Sequence, residues 1–304
     1  MSSIANWPRV IERFADVPAE FKSCYQYVDT EQETLPYTIY MPSDYWGKRI
    51  TTEKLLYIYN RKVYLFEKLE DRIEMTFIPF NRIISIEHGK MLLYSWLKFS
   101  YAIEDRSKMI FIEYNSVTER IFRKVIDEVR KSYMNIEHIE GTEKNIHQLQ
   151  DLMNQDYRFY NDAISGILPG QMVLDMIYQP EIRRKVYRIF SKRITPAHVT
   201  LLCEKEFIHI MEGVEKRGSL GKYCSIWTFI PLKLIDELKI ERADESGDTV
   251  HLQISYGIEQ SLKLIFSITN RSALERIIES FNLIKCYNNY DDYAYTYLNK
   301  ETKG

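Results

Sequence analysis

The stretch EIRRKVYRIFSKRIT, residues 181–195, packs Arg183, Arg184, Lys185, Arg188, Lys192 and Arg193 into 11 positions. Val186, Tyr187, Ile189 and Phe190 are interleaved with them. Guanidinium and ammonium groups at this density can grip phosphate head groups or an acidic partner, because each donates charge-assisted hydrogen bonds to anionic oxygens. Near an anionic membrane each basic residue contributes about 1 kcal/mol, so the cluster would carry real membrane affinity. The plainer reading is a solvated face neutralised by nearby acids, since Asp and Glu number 43 against 41 Lys and Arg. Nucleic acid fits less well: the cluster is short, no recognised binding motif accompanies it, and the net charge is −2.

Little else has the types and spacing of a catalytic centre. There is no G-x-x-x-x-G-K-[ST] phosphate loop, no G-x-G-x-x-G and no G-x-S-x-G elbow. GSLG around Ser219 reads as a loop turn. His88, His138, His147, His198, His209 and His251 form neither H-x-x-x-H nor H-E-x-x-H, so no local metal site is written. His88 is expected in a turn before Gly89, and His209, inside FIHIME, on the wet face of a strand. Asp291 and Asp292 are expected to be solvated acids of the tail. Cys24, Cys203, Cys224 and Cys286 make no Cys-x-x-Cys pair and read as reduced thiols. No catalytic residue, cofactor or metal is expected, and an enzyme with a site assembled from distant residues is the remote alternative.

The elements that would position the basic segment follow from wider patterns. A chain of 304 residues suffices for two domains with cores of their own. With 23 Tyr, 14 Phe and only 11 Gly, the composition favours strands over glycine-rich catalytic loops. MSSIANWPRVIERF has no apolar core of the signal-peptide kind, and no apolar run approaches the ~20 residues of a membrane span. The expected location is cytoplasmic, with the inner membrane face as a second place if the basic segment binds lipid.

Five landmarks occur twice in the same order: IYMP (39–42) and IYQP (177–180), KRIT (48–51 and 192–195), TFIP (76–79 and 228–231), SYAIE (100–104) and SYGIE (255–259), SVTERI (116–121) and SALERI (272–277). Their offsets of 138, 144, 152, 155 and 156 grow slowly, as loop insertions would make them. One such insertion is EGVEKRGSLGKYCS. A duplicated module is expected. In the first copy, Lys48 and Arg49 alone, after Tyr45 and Trp46, stand where the second has its basic cluster.

Within each copy Leu97, Phe99, Tyr101 and Ile103, or Leu252, Ile254, Tyr256 and Ile258, alternate with polar or small residues, which is the period of a half-buried strand. KLLYIYN and KVYLFEK form a hairpin turning at Asn60-Arg61; HVTLLCE and FIHIMEG form another turning at Lys205-Glu206. The proline of each TFIP, which cannot donate to a ladder, belongs at a strand end or edge. Ser116 with Glu119, and Ser272 with Glu275, have capping-box spacing. Behind them Val117, Ile121, Val125, Val129 and Leu274, Ile277, Ile278, Phe281 step at helical intervals.

Short strands, IPFNRIISIE as a middle strand, and one capped C-terminal helix per copy resemble the pleckstrin-homology superfold, most of all its bacterial PH-like and GRAM-type variants. ILPGQMVLDMIYQPEI is similar to the Leu-Pro-Gly opening of that group; the first copy has only LPYTIYMP. The resemblance implies a mainly β protein with helices (α+β): two PH-like sandwich or barrel domains at 35–134 and 166–285, each closed by its C-terminal amphipathic helix. It says little about ligand, because the superfold hosts lipid binders, peptide binders and assembly modules.

Between the copies, 135–165 reads as a helical linker of about five turns, with Ile146, Leu149, Met153, Tyr157, Tyr160 and Ile164 on one stripe. The N-terminal arm, 1–34, offers a shorter helical stripe of Trp7, Val10, Ile11 and Phe14, with Pro8 suited to the first helical position. The Tyr-rich tail, 286–304, is expected to pack on the second domain. The resulting expectation is a non-enzymatic interaction or scaffold protein that binds a protein partner or itself through sheet edges and aromatic faces. The alternative is a peripheral protein that grips anionic lipid through Arg183, Arg184, Lys185, Arg188, Lys192 and Arg193.

Overall fold

The computed structural model describes residues 7–27, 35–46, 49–134, 149–185, 191–213, 224–242 and 247–301. The chain is mainly β with helices and divides into two units, Met1–His138 and Ile139–Gly304.

In the first unit an antiparallel sheet runs in the order β1 (Arg9–Ile11), β2 (Thr38–Met41), β5 (Lys54–Tyr59), β6 (Lys62–Lys68), β7 (Ile73–Pro79). A two-stranded ribbon of β3 (Tyr45–Trp46) and β4 (Arg49–Ile50) lies between β2 and β5 in sequence. A turn at Phe80–Arg82 leads to β8 (Ile83–Met91), β9 (Tyr94–Ile103) and β10 (Arg106–Asn115), paired in that order. Helix α1 (Glu119–Tyr133) follows.

The second unit opens with α2 (Gln150–Gln155) and α3 (Tyr157–Gly166). Its strands β11 (Val173–Gln179), β14 (His198–Cys203), β15 (Glu206–Glu212) and β16 (Cys224–Pro231) pair antiparallel in that order. The ribbon of β12 (Ile182–Lys185) and β13 (Ser191–Thr195) falls between β11 and β14 in sequence. After a turn at Leu232–Leu234, β17 (Ile235–Arg242), β18 (Thr249–Tyr256) and β19 (Gln260–Ser267) pair in order and lead to α4 (Arg271–Glu301). From β2 to α1 and from β11 to α4 the elements come in the same order. The register slips at matching places too, between Ile83 and Ser85 and between Ile235 and Glu237.

Local chemistry explains several of these elements. Asn60 and Arg61 both take positive φ, 47° and 56°, as a two-residue hairpin of the primed type requires. In the second unit the turn is Glu204-Lys205, one residue before the expected Lys205-Glu206, because Leu202 pairs with Phe207 and Glu206 is already in β15. Both prolines of the repeated TFIP end their strands. IPFNRIISIE is therefore not one strand: Pro79 closes β7, a single turn follows, and β8 starts at Ile83. Gly170 takes φ 75° in the turn closed by the Gln171 N–H to the Leu168 carbonyl, so Pro169-Gly170 has the residue types a type II turn demands.

Three helix expectations are corrected. The caps are the last strand residues: Asn115 Oδ1 accepts from Val117 N–H at 3.1 Å, and Ser267 Oγ from Thr269 N–H at 3.3 Å. Ser116 instead donates to the Leu92 carbonyl, and Ser272 lies inside α4. A short turn precedes each α-helix and moves the cap upstream, and the buried stripe of α1 shifts to Phe122, Val125, Ile126, Val129 and Tyr133, leaving Val117 exposed.

The expected five-turn linker helix is two helices over its described part, since 135–148 lie outside the described residues. Asp156 is extended (φ −154°), and its carboxylate accepts from Arg158 and Phe159 N–H at 3.0 and 3.1 Å, restarting the helix. Leu149, Leu152, Phe159 and Ala163 are buried, while Met153 and Tyr157 are exposed. In the arm, the expected helix at Trp7–Phe14 is replaced by strand β1, whose Arg9–Ile11 backbone pairs with Thr38–Tyr40. A 3-10 segment, Ala19–Tyr27, then lays Phe21, Cys24 and Tyr25 on Tyr40, Leu55, Tyr57, Tyr64 and Phe66. The Tyr-rich tail continues α4 as helix to Glu301.

Candidate interaction surfaces

Five of the six basic candidates fall on the β12–β13 ribbon; Arg188 lies outside the described residues. Arg183 stands opposite Arg193, and Arg184 opposite Lys192. Residues directly opposite share a face, so both are like-charge pairs, which cost stability unless an anion intervenes. For the first pair that anion is Glu181: it hydrogen-bonds Arg183, raising the guanidinium pKa further, and lies 2.8 Å from Arg193 Nε. Arg193 also pairs with Glu212, which is buried and lies 3.5 Å from Arg158. Arg183 and Arg193 are thus held by carboxylates, as a neutralised face would have it. Arg184, Lys185 and Lys192 have exposed side chains.

A cleft of about 270 Å³ in the first unit is lined by Asp44, Ile50, Lys54, Glu67, Phe111 and Glu113, among others. Lys54 and Glu67 are cross-strand partners on β5 and β6, and Thr52 joins them by hydrogen bonds. Burial alone would raise the Glu67 carboxyl, but the Lys54 and Thr52 hydrogen bonds and the Lys54 charge outweigh it and hold it below its ordinary value. An ionised carboxylate locked to an ammonium on the next strand ties the hairpin together.

The histidines differ from expectation. His88 lies within β8 and is fully buried, its pKa lowered to about 3 by burial, with Arg123 and Lys90 adding. It is not in a turn, because Gly89 sits in the same strand under the Trp96 ring. His209 is buried on the inward face of β15, not wet. Its Nδ1 is 3.2 Å from Thr200 Oγ1, and its ring centroid is 5.2 Å from that of His198. Burial lowers the His198 pKa to about 4 and that of His209 well below its ordinary value. Among the described residues no three His, Cys, Asp or Glu side chains are grouped to hold a metal ion, and no helix is long and apolar enough to cross a membrane. Cys24, Cys203 and Cys224 are buried, and Cys286 is exposed.

A further surface lies along β7, outside the basic segment. Among the described residues this strand ends its sheet and pairs only with β6. Backbone bonds at both ends of the pair, Phe80 N–H to Arg61 O and Leu69 N–H to Arg72 O (2.9 Å each), set the ladder's phase. Since bonded and non-bonded pairs alternate, Glu74, Thr76 and Ile78 point their N–H and C=O groups at β6. Those of Ile73, Met75 and Phe77 point outward. Pro79 belongs to the outward set, where its missing N–H costs the ladder nothing. The side chains of Met75 and Phe77 share one face, 40% and 50% exposed.

Ring stacking runs from Tyr25 to Tyr57 to Tyr64 and reaches Phe77, over which Lys62 Nζ sits 5.7 Å from the ring centroid. In the second unit the matching residues, Trp227 and Phe229, are 3% and 0% exposed. There α3 crosses from Tyr178 on β11 to β16, where Trp227 Nε1 donates to the Asp162 carbonyl at 3.0 Å. The Ala19–Tyr27 segment bonds Thr38 of β2 and Tyr57 of β5 through its Tyr25 hydroxyl and Cys24 carbonyl, and Lys68 of β6 through Glu20; among the described residues it makes no bond to β7. The signal in the sequence was the alternation of Ile73, Met75 and Phe77 with Glu74 and Thr76, closed by Pro79.

The chain matches no family model and no curated protein sequence.

Proposed function

We propose that this chain is a non-enzymatic interaction protein: two PH-like domains, copied from one ancestral module, that present a sheet edge to a protein partner or to a second chain. The observation that carries the reading is the β7 margin, a strand whose outward backbone groups and apolar side chains, Met75 and Phe77, coincide at one edge. Identical element order in the two units supports the shared ancestry, and the cytoplasm is the proposed location. A partner retained at fixed stoichiometry by the wild-type chain, and lost when Met75 and Phe77 are both changed to Lys, supports this function. A chain that retains nothing and stays monomeric refutes it.

The second reading, a peripheral binder of anionic lipid, is favoured by the exposed Arg184, Lys185 and Lys192 of the β12–β13 ribbon. Co-sedimentation with anionic vesicles should then be salt-sensitive and lost in Arg184→Glu/Lys192→Glu; no binding at low salt removes it.

A further inference from the structure

We infer that the partner of the β7 margin is a second copy of this chain, joined edge to edge by β7 about a two-fold axis at Met75. The inference rests on the interaction reading above and names the partner. An antiparallel self-pair about that axis sets Ile73 against Phe77 of the partner, Met75 against its own copy, and Phe77 against Ile73. All three are residues whose backbone groups face outward, so the two chains can exchange on the order of six N–H to C=O bonds. Moving the two-fold axis by one residue would set Glu74 against Glu74, and there the backbone groups point back at β6 instead of across the joint.

The side chains agree with this register. On one face Ile73, Met75 and Phe77 form a continuous apolar row across the axis, covering surface that the Ala19–Tyr27 segment leaves open. On the other face Glu74 meets Thr76 and Arg72 meets Ile78, so no like charges oppose. Two of the usual guards against pairing are missing from the edge: it has no bulge, and its one proline is at the end, past the last bonding residue. A two-fold joint of this kind closes on itself, so the product is a dimer and not a fibre.

Sedimentation equilibrium over a concentration series tests the joint. The wild-type mass should rise from 36.4 kDa toward twice that value. Met75→Lys, which sets two ammonium groups against each other at the axis, should hold the mass at one chain while the circular dichroism stays native. A cross-link reads the register: in a Cys286→Ser background, oxidised Met75→Cys should form a disulfide dimer, because opposite Cα atoms in such a pair are ~5.5 Å apart. Glu74→Cys, opposite Thr76, should not. A wild type that stays at 36.4 kDa, a dimer that survives Met75→Lys, or equal cross-linking from Glu74→Cys each overturns the inference. The first of these leaves the broader interaction reading standing on its own retention assay.

Discussion

Replacing Asp156 by Ala separates two accounts of the segment before the second unit's sheet by the sign of the effect. In an unbroken helix from Ile146 to Ile164, Asp156 would be interior, and Ala would gain about 0.5 kcal/mol of helix propensity. In the structure Asp156 is the N-cap of α3, bonded to Arg158 and Phe159 N–H, so losing the cap costs about 1 kcal/mol. Its second oxygen accepts from the Tyr178 hydroxyl at 3.0 Å; that group stays protonated, its pKa raised by burial and by the Asp156 charge. Losing a part-buried bond to a carboxylate adds about 1–2 kcal/mol. The expected cost is thus about 2–3 kcal/mol, against a small gain.

Urea unfolding measures this with a built-in reporter. Trp7, Trp46 and Trp96 all precede the second unit, so their replacement by Phe leaves Trp227, bonded to Asp162 of α3, as the sole indole. Asp156→Asn, which keeps an accepting oxygen, should recover most of the loss. Tyr178→Phe added to Asp156→Ala should cost less than it does alone, since the two share one bond. An Asp156→Ala chain as stable as wild type would refute the restart of the helix at this residue.

Two further outcomes follow from buried groups. His198 and His209 are buried neutral with depressed pKa values, so their stabilising contribution is present above the unfolded value near 6.5 and is lost as pH falls through the folded values, about 4 for His198. For His198 the loss is on the order of 3 kcal/mol, read as a falling urea midpoint of the second unit between pH 7 and 4.5, and flattened in His198→Leu. In the first unit a Cβ on Gly89 would lie 1.9 Å from the Trp96 ring, so Gly89→Ala should displace the indole from Glu87 Oε1. That change should cost about 1–3 kcal/mol and shift Trp96 emission; an unchanged spectrum and midpoint would show the ring is not seated there.

Much of the architecture was legible because strand and hairpin signals are local. Alternation at Leu252–Tyr256, the turn at Asn60-Arg61 and the strand-ending prolines appear as read; in the first copy Leu97, Phe99 and Tyr101 are buried, but so is Ser100, and Ile103 is exposed. What misled was spacing without environment. Ser116–Glu119 has the right interval for a cap, but a preceding turn gave that task to Asn115. Trp7 to Phe14 has helical spacing, but β2 had an open edge for Arg9–Ile11 to pair with. His209 alternates like a solvent-facing residue, but both faces of β15 are covered.

By itself the sequence determined most of the strands, the strand-ending prolines and the recurrence of five landmarks, since each depends on residues a few positions apart and on the fixed period of a strand. Tertiary structure alone decided exposure and pairing. Arg193 is quieted by Glu212, nineteen residues away, and Phe229 is buried while its twin Phe77 is bare. The identical tetrapeptide TFIP holds the same backbone shape in both places; whether its ring meets solvent depends on which distant segment lies over the sheet.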